Sequence, residues 1–126
     1  MGRKPSTTLT DAELRIMRVL WSRGESTNME IVGTITGPPL ARNTVMTTLG
    51  VLERKGYVAH RTEGRTFIYR AVVAEDRARE TALEGVLRRF FDGSAEQLVV
   101  KLLDSKSISA ADRKRIQKLV DRASDK

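Results

Sequence analysis

Between residues 40 and 70 the hydrophobic pattern changes period at a glycine, and this limits the possible folds more than any other feature of the chain. Before Gly56, Val45, Leu49 and Leu52 recur at i, i+4 and i+7, the spacing of one buried stripe on an α-helix. At about 100° per residue, Asn43, Thr47 and Arg54 fall on the opposite side, with Met46 and Gly50 on its flank. That outer face lacks the Glu/Lys alternation of an ordinary solvated helix. Gly56 follows Arg54 and Lys55, which suit a helix C-terminus, and is placed for a left-handed cap. Beyond it, residues 57–61 and 66–70 are β-prone and flank the turn 62–65 with Gly64 inside it, a hairpin signature.

A helix with such a stripe needs a partner, and the preceding residues supply one. Thr10-Asp-Ala-Glu13 reads as a capping box, in which the threonine accepts from an early helix N–H and the glutamate reaches back. The helix that follows carries Leu14, Ile16, Met17, Val19, Leu20 and Trp21 and stops near Gly24. Residues 25–28 form a connector with room for one isolated strand pairing. A second helix over residues 28–35 offers Met29, Ile31, Val32 and Ile35 to the core. Gly37-Pro38-Pro39 ends it, because proline lacks the N–H and restricts the residue before it. Three helices and then a hairpin, the third helix entered through a turn, describe a winged helix-turn-helix over residues 9–72.

Residues 73–126 differ in character. A helix over 74–91 carries Leu83, Val86, Leu87, Phe90 and Phe91 and closes at Asp92-Gly93; a second from Ser94 carries Leu98, Val99, Leu102 and Leu103; a last one from Ser109 carries Ile116, Leu119 and Val120. Three short helices make a thin core by themselves, and their apolar faces left bare would form too large a patch for a monomer. This region is therefore expected to dimerise through those residues. The fold class expected is mainly α with a small β-hairpin wing: a winged helix-turn-helix domain plus a C-terminal helical dimerisation region.

Charge narrows the partners. The 126 residues hold 23 Lys and Arg against 16 Asp and Glu, a net charge of +7. A protein this basic gains counterion-release free energy on nucleic acid. Without cysteine there is no disulfide and no thiolate metal site. With one histidine, no phosphate-binding glycine loop and no carboxylate pair in an apolar setting, no catalytic residue, metal site or cofactor is assigned. No apolar run resembles a secretory signal or approaches the ~20 residues of a membrane span, so the expected location is cytoplasmic, with no membrane partner. Residues 1–8 read as a flexible basic arm in which Arg3 and Lys4 offer a further phosphate contact.

On the third helix, Asn43 suits adenine N6/N7, Arg42 suits guanine or phosphate, and Met46 and Thr47 suit thymine methyls, so these four are the base-facing candidates. Thr44, Arg54, Lys55, His60, Arg61 and Arg65 form the candidate phosphate and wing set, since a wing on the backbone needs cations at its tip and a glycine turn for close approach. The plainer alternatives are polar fillers beside a helix start and a solvated hairpin with scattered arginines. Phe67 and Tyr69 share one strand face and read as core or edge residues rather than base-stacking platforms. The partners expected are a double-stranded DNA operator and a second copy of the chain. Two other functions fit the same pattern: a winged helix used only as a protein-interaction scaffold, and a DNA-binding activator.

The ordered set of motifs resembles the penicillinase-repressor family of bacterial winged-helix transcriptional regulators over nearly the whole chain. The segment Leu9-Thr-Asp-Ala-Glu-Leu-Arg-Ile-Met-Arg-Val-Leu-Trp21 is similar to the family's opening helix. Asn43-Thr-Val-Met-Thr-Thr-Leu49 with Leu52-Glu-Arg-Lys-Gly56 is similar to its recognition helix, Gly64-Arg65 with Phe67-Ile-Tyr69 to its wing, and Phe90-Phe-Asp-Gly93 with Leu98-Val99 to the start of its dimerisation helices. The resemblance implies a homodimeric repressor on an inverted-repeat operator. It also implies an inducing protease, which in relatives cuts an Asn-Phe pair after a membrane sensor detects β-lactam; Lys101-Leu102 stands at that place here and departs from the pattern. The copper-sensing branch relies on a C-terminal cysteine cluster that this chain lacks. Met46 is Arg or Gln in some relatives, so their operator sequence does not carry over.

Overall fold

The computed structural model describes residues 9–124; the arm expected over residues 1–8 lies outside them. Local chemistry sets the first two helices. Helix α1 (Asp11–Arg23) starts at a complete capping box, with Glu13 N donating to Thr10 Oγ1 at 3.1 Å and Thr10 N donating to Glu13 Oε1 at 2.8 Å. Helix α2 (Asn28–Thr34) repeats the device with Thr27 and Glu30. Between them lies the two-residue strand β1 (Ser26–Thr27).

Helix α3 (Arg42–Lys55) has Ala41 extended as its N-cap and no side chain capping it. Its other end is a Schellman motif: Gly56 sits at φ 90°, its N–H donates to Glu53 O, and Tyr57 N donates to Leu52 O at 2.9 Å. Strands β2 (Val58–Glu63) and β3 (Thr66–Ala71) run further than predicted, so the turn shrinks from four residues to Gly64-Arg65. Gly64 alone of that pair has positive φ, as a type II′ hairpin turn requires. Strand β3 is central: the sheet order is β1-β3-β2, all antiparallel, with Thr27 opposite Ile68 and His60 opposite Tyr69.

The core draws on α1, α2, α3, strands β2 and β3 and the start of α4 (Glu75–Phe90). Ile16, Met17, Val19 and Leu20 come from α1, Ile31 from α2, and Val45, Leu49 and Leu52 from α3; Tyr57, Val58, Tyr69, Val73 and Ala78 complete it. One expected core residue is not there. Met29 is 56% exposed, because the first turn of α2 turns it away from Ile31's side of the helix. Trp21 is half-buried rather than central, and its indole Nε1 donates to Val73 O at 2.9 Å.

The chain divides into two compact units, one ending at Gly85 and the other starting at Val86, whereas the composition change suggested a boundary at residue 73. The reason lies in α4, whose buried residues Ala78, Thr81 and Gly85 are all small and all precede the boundary. The second unit holds the end of α4, helix α5 (Ala95–Asp104) and helix α6 (Ala110–Ser124). Ser94 caps α5, accepting from Gln97 N, and the Arg113 guanidinium donates to Leu103 O at 2.6 Å, satisfying a carbonyl at the α5 C-terminus. No helix among the described residues is long and apolar enough to cross a membrane.

Candidate nucleic-acid interface

The candidate interface is built by anchoring one face of α3 and leaving the other bare. Val45, Leu49 and Leu52 have no exposed surface, which fixes the rotation of the helix about its axis. Arg42, Asn43, Met46 and Thr47 are consequently all exposed, as are Thr44 and Arg54. Asn43, Thr44, Thr47 and Thr48 line one shallow concavity, and Thr48 Oγ1 turns back to the Thr44 carbonyl at 2.6 Å. The entry to α3 is held from α1, where Arg15 Nε donates to Thr36 O at 2.9 Å and the same guanidinium also reaches Pro38 O. That clasp fixes the α2–α3 turn and so the direction in which the exposed face points.

The expected phosphate set separates by its partners. Lys55 departs most from the prediction: its Nζ lies 2.8 and 3.0 Å from the two carboxylate oxygens of Glu13, which is buried, so its charge is committed to joining α1 to the end of α3. His60 Nδ1 is 2.8 Å from Glu53 Oε1, and its ring stacks on Phe67 with centroids 4.4 Å apart. Arg61 lies between Glu25 and Glu63, at 3.1 and 2.8 Å; the paired carboxylates push its pKa further up, and its hydrogen bond and charge hold Glu25 below the usual carboxylate value. These last pairs are exposed, where exchange for another anion costs little. Arg42, Arg54 and Arg65 carry no ion pair among the described residues, so within the expected set they are the cations left available.

Three contributions escaped sequence reasoning. A cleft of about 450 Å³ opens between α3 and the wing, lined by Thr27, Asn28 and Met29 from the α2 start, Arg42 and Met46 from α3, and Arg65, Thr66, Phe67 and Tyr69 from the hairpin. Asn28 Nδ2 donates to Arg42 O at 3.4 Å and faces Met46 Sδ at 3.8 Å, while its Oδ1 is buried without a partner. Phe67, read as core or edge, is exposed, and Tyr69 two residues on is buried. The β1–β3 pairing brings Thr27 and its neighbours beside the wing, and no short-range signal announces that contact.

Two helices bracing a third, a polar outer face on that third helix, and an arginine-tipped hairpin beside it define a winged helix-turn-helix protein. The penicillinase repressor family model matches residues 9–122, and the chain belongs to that family, which puts it among DNA-binding transcriptional repressors. It is 25% identical to the penicillinase repressor of Bacillus licheniformis, over 90% of this chain and 89% of the relative. It is 27% identical to an uncharacterized 16.5 kDa protein of Latilactobacillus sakei, over 89% of this chain and 77% of that protein. A solved structure of a transcriptional regulator aligns at 21% identity and a TM-score of 0.46, over 80% of this chain and 79% of that one, too loosely to bear on function.

Proposed function

We propose that the chain works as a homodimeric repressor on an inverted-repeat operator, as a binding protein and not an enzyme. Each α3 enters a major groove with Arg42, Asn43, Met46 and Thr47 toward the base edges, while Arg54, Arg65 and, on exchange of its carboxylates, Arg61 meet phosphates. The observation that carries this reading is the phase of α3: the stripe that is fully buried leaves those four side chains on the open side. Lys55 has no part in it, since its ammonium serves Glu13.

The dimer rests on the second unit together with Leu83 of α4. Of the twelve residues expected to dimerise, Leu83, Val86, Phe90, Leu102, Leu119 and Val120 are exposed, and Leu87, Phe91, Leu98, Val99, Leu103 and Ile116 are half-buried. A second copy that covers these faces supplies the core they lack and sets the spacing of two half-sites. No inducing protease enters the proposal, because Lys101-Leu102 departs from the Asn-Phe pair that is cut in relatives.

A footprint of the full chain on the promoter of its own gene tests the reading. Protection of a palindrome is expected. Asn43→Ala should relax preference at one base position by about 1–3 kcal/mol, whereas Arg65→Ala should weaken all sequences alike and lower the salt slope by about 1. Unchanged affinity and salt dependence in Arg65→Ala would refute the wing assignment, and sedimentation as a monomer at micromolar concentration would refute the dimer.

A further inference from the structure

Five large apolar side chains stand exposed before Val86 among the described residues: Met29, Met46, Phe67, Val72 and Leu83. Single exposed apolar residues are ordinary. Here, however, three of the five line the same cleft, and they come from three different elements: Met29 from α2, Met46 from α3 and Phe67 from β3. They are 56%, 44% and 44% exposed. The same cleft is lined as well by Arg42 from α3 and Arg65 from the hairpin turn.

That combination has a chemical meaning. Two guanidinium groups favour a polyanion, and bare methionine and phenylalanine surface in the same cleft favours an apolar group carried by that polyanion. In the major groove of DNA the apolar group that differs between bases is the thymine 5-methyl. We propose that Met29, Met46 and Phe67 together form an apolar clamp that reads thymine through its methyl group. The clamp rests on the DNA-binding function proposed above and names its specificity element.

Met46 is the middle of the clamp and is held from below. Its thioether faces Asn28 Nδ2 at 3.8 Å and Tyr69 Oη at 4.0 Å, two weak donors that place an otherwise flexible chain. Phe67 is steadied in the same way by the His60 ring stacked on it and the Tyr69 ring edge-on at 6.4 Å. A free apolar effector would have no use for the two arginines in the lining, which is why the occupant is assigned to DNA.

The experiment uses the full chain and the duplex it enriches most from a random-sequence pool, with each thymine replaced singly by deoxyuridine. At one or more positions of each half-site, loss of the methyl is expected to weaken binding about fourfold, the worth of one methyl group taken from water. In Met29→Ala, Met46→Ala and Phe67→Ala that penalty should shrink or vanish at those positions, with each variant still melting cooperatively because none of the three side chains belongs to the buried core. Arg65→Ala should weaken every duplex and keep the penalty. Insensitivity to deoxyuridine at all positions, or a penalty that survives in all three alanine variants, overturns the clamp and leaves DNA binding standing. A pool that enriches no duplex overturns the DNA-binding reading and the clamp with it.

Discussion

Leu49 and Leu119 each lie on the apolar stripe of an amphipathic helix of about four turns, yet Leu49 has no exposed surface and Leu119 is 60% exposed. The contrast extends to their surroundings. The unit ending at Gly85 has a closed core with side chains from α1, α2, α3, the sheet and the start of α4. The unit from Val86 onward has no side chain in the buried class among the described residues, and Phe90 is 71% exposed. Amphipathic patterning is common to both. What differs is the number of elements available to face each stripe, and three strands added to three helices are enough where three helices alone are not.

Four substitutions would break or sharpen that contrast. Leu49→Ala should cost about 3 kcal/mol, because it opens a cavity in a core with no room to collapse. Leu119→Ala in the same urea titration should cost under about 0.5 kcal/mol in dilute protein and more as concentration rises. Equal losses at all concentrations would mean that the second unit closes its own core. Next in size, Lys55→Met should lower stability by about 2 kcal/mol: removing one partner of a buried pair costs about 3–5 kcal/mol, and Lys55 keeps part of its surface in water. Since it strands the Glu13 carboxylate beside the end of α3, hydrogen exchange should rise around residues 52–57 and stay unchanged in α5 and α6. Uniformly faster exchange would show that the two units are not separate in stability. A smaller effect than at Lys55 is expected for Gly56→Ala, about 1 kcal/mol by thermal melting, because an L side chain at φ 90° is strained. No loss there would mean that the α3–β2 corner adapts rather than dictating the strand direction.

Both capping boxes, the left-handed Gly56 and the glycine of the hairpin turn rest on interactions within a few residues, and of these the Thr10–Glu13 box, Gly56 and Gly64 were legible in the sequence. The stripe on α3 was legible for the same reason, since a period of 3.6 needs no knowledge of what covers it. Prediction failed wherever a partner lies far along the chain. Lys55 looked like a phosphate ligand because nothing near it in sequence reveals Glu13, 42 residues away. Arg61 has one carboxylate two residues on, Glu63, but its second partner, Glu25, is 36 residues away. Met29 looked like core because apolar side chains at adjacent helical positions cannot all face inward, and only packing against α3 chose Ile31.

The sequence by itself determined the order of helices and hairpin, the family, and which side of α3 faces the core, because periodicity, caps and turn residues act over one or two turns of chain. Tertiary structure decided which cations remain available, where the first unit ends, and that Met29, Met46 and Phe67 share a cleft with Arg42 and Arg65. These depend on the β1–β3 pairing and on the packing of α1 against α3, contacts between residues tens of positions apart that leave no local trace in the pattern.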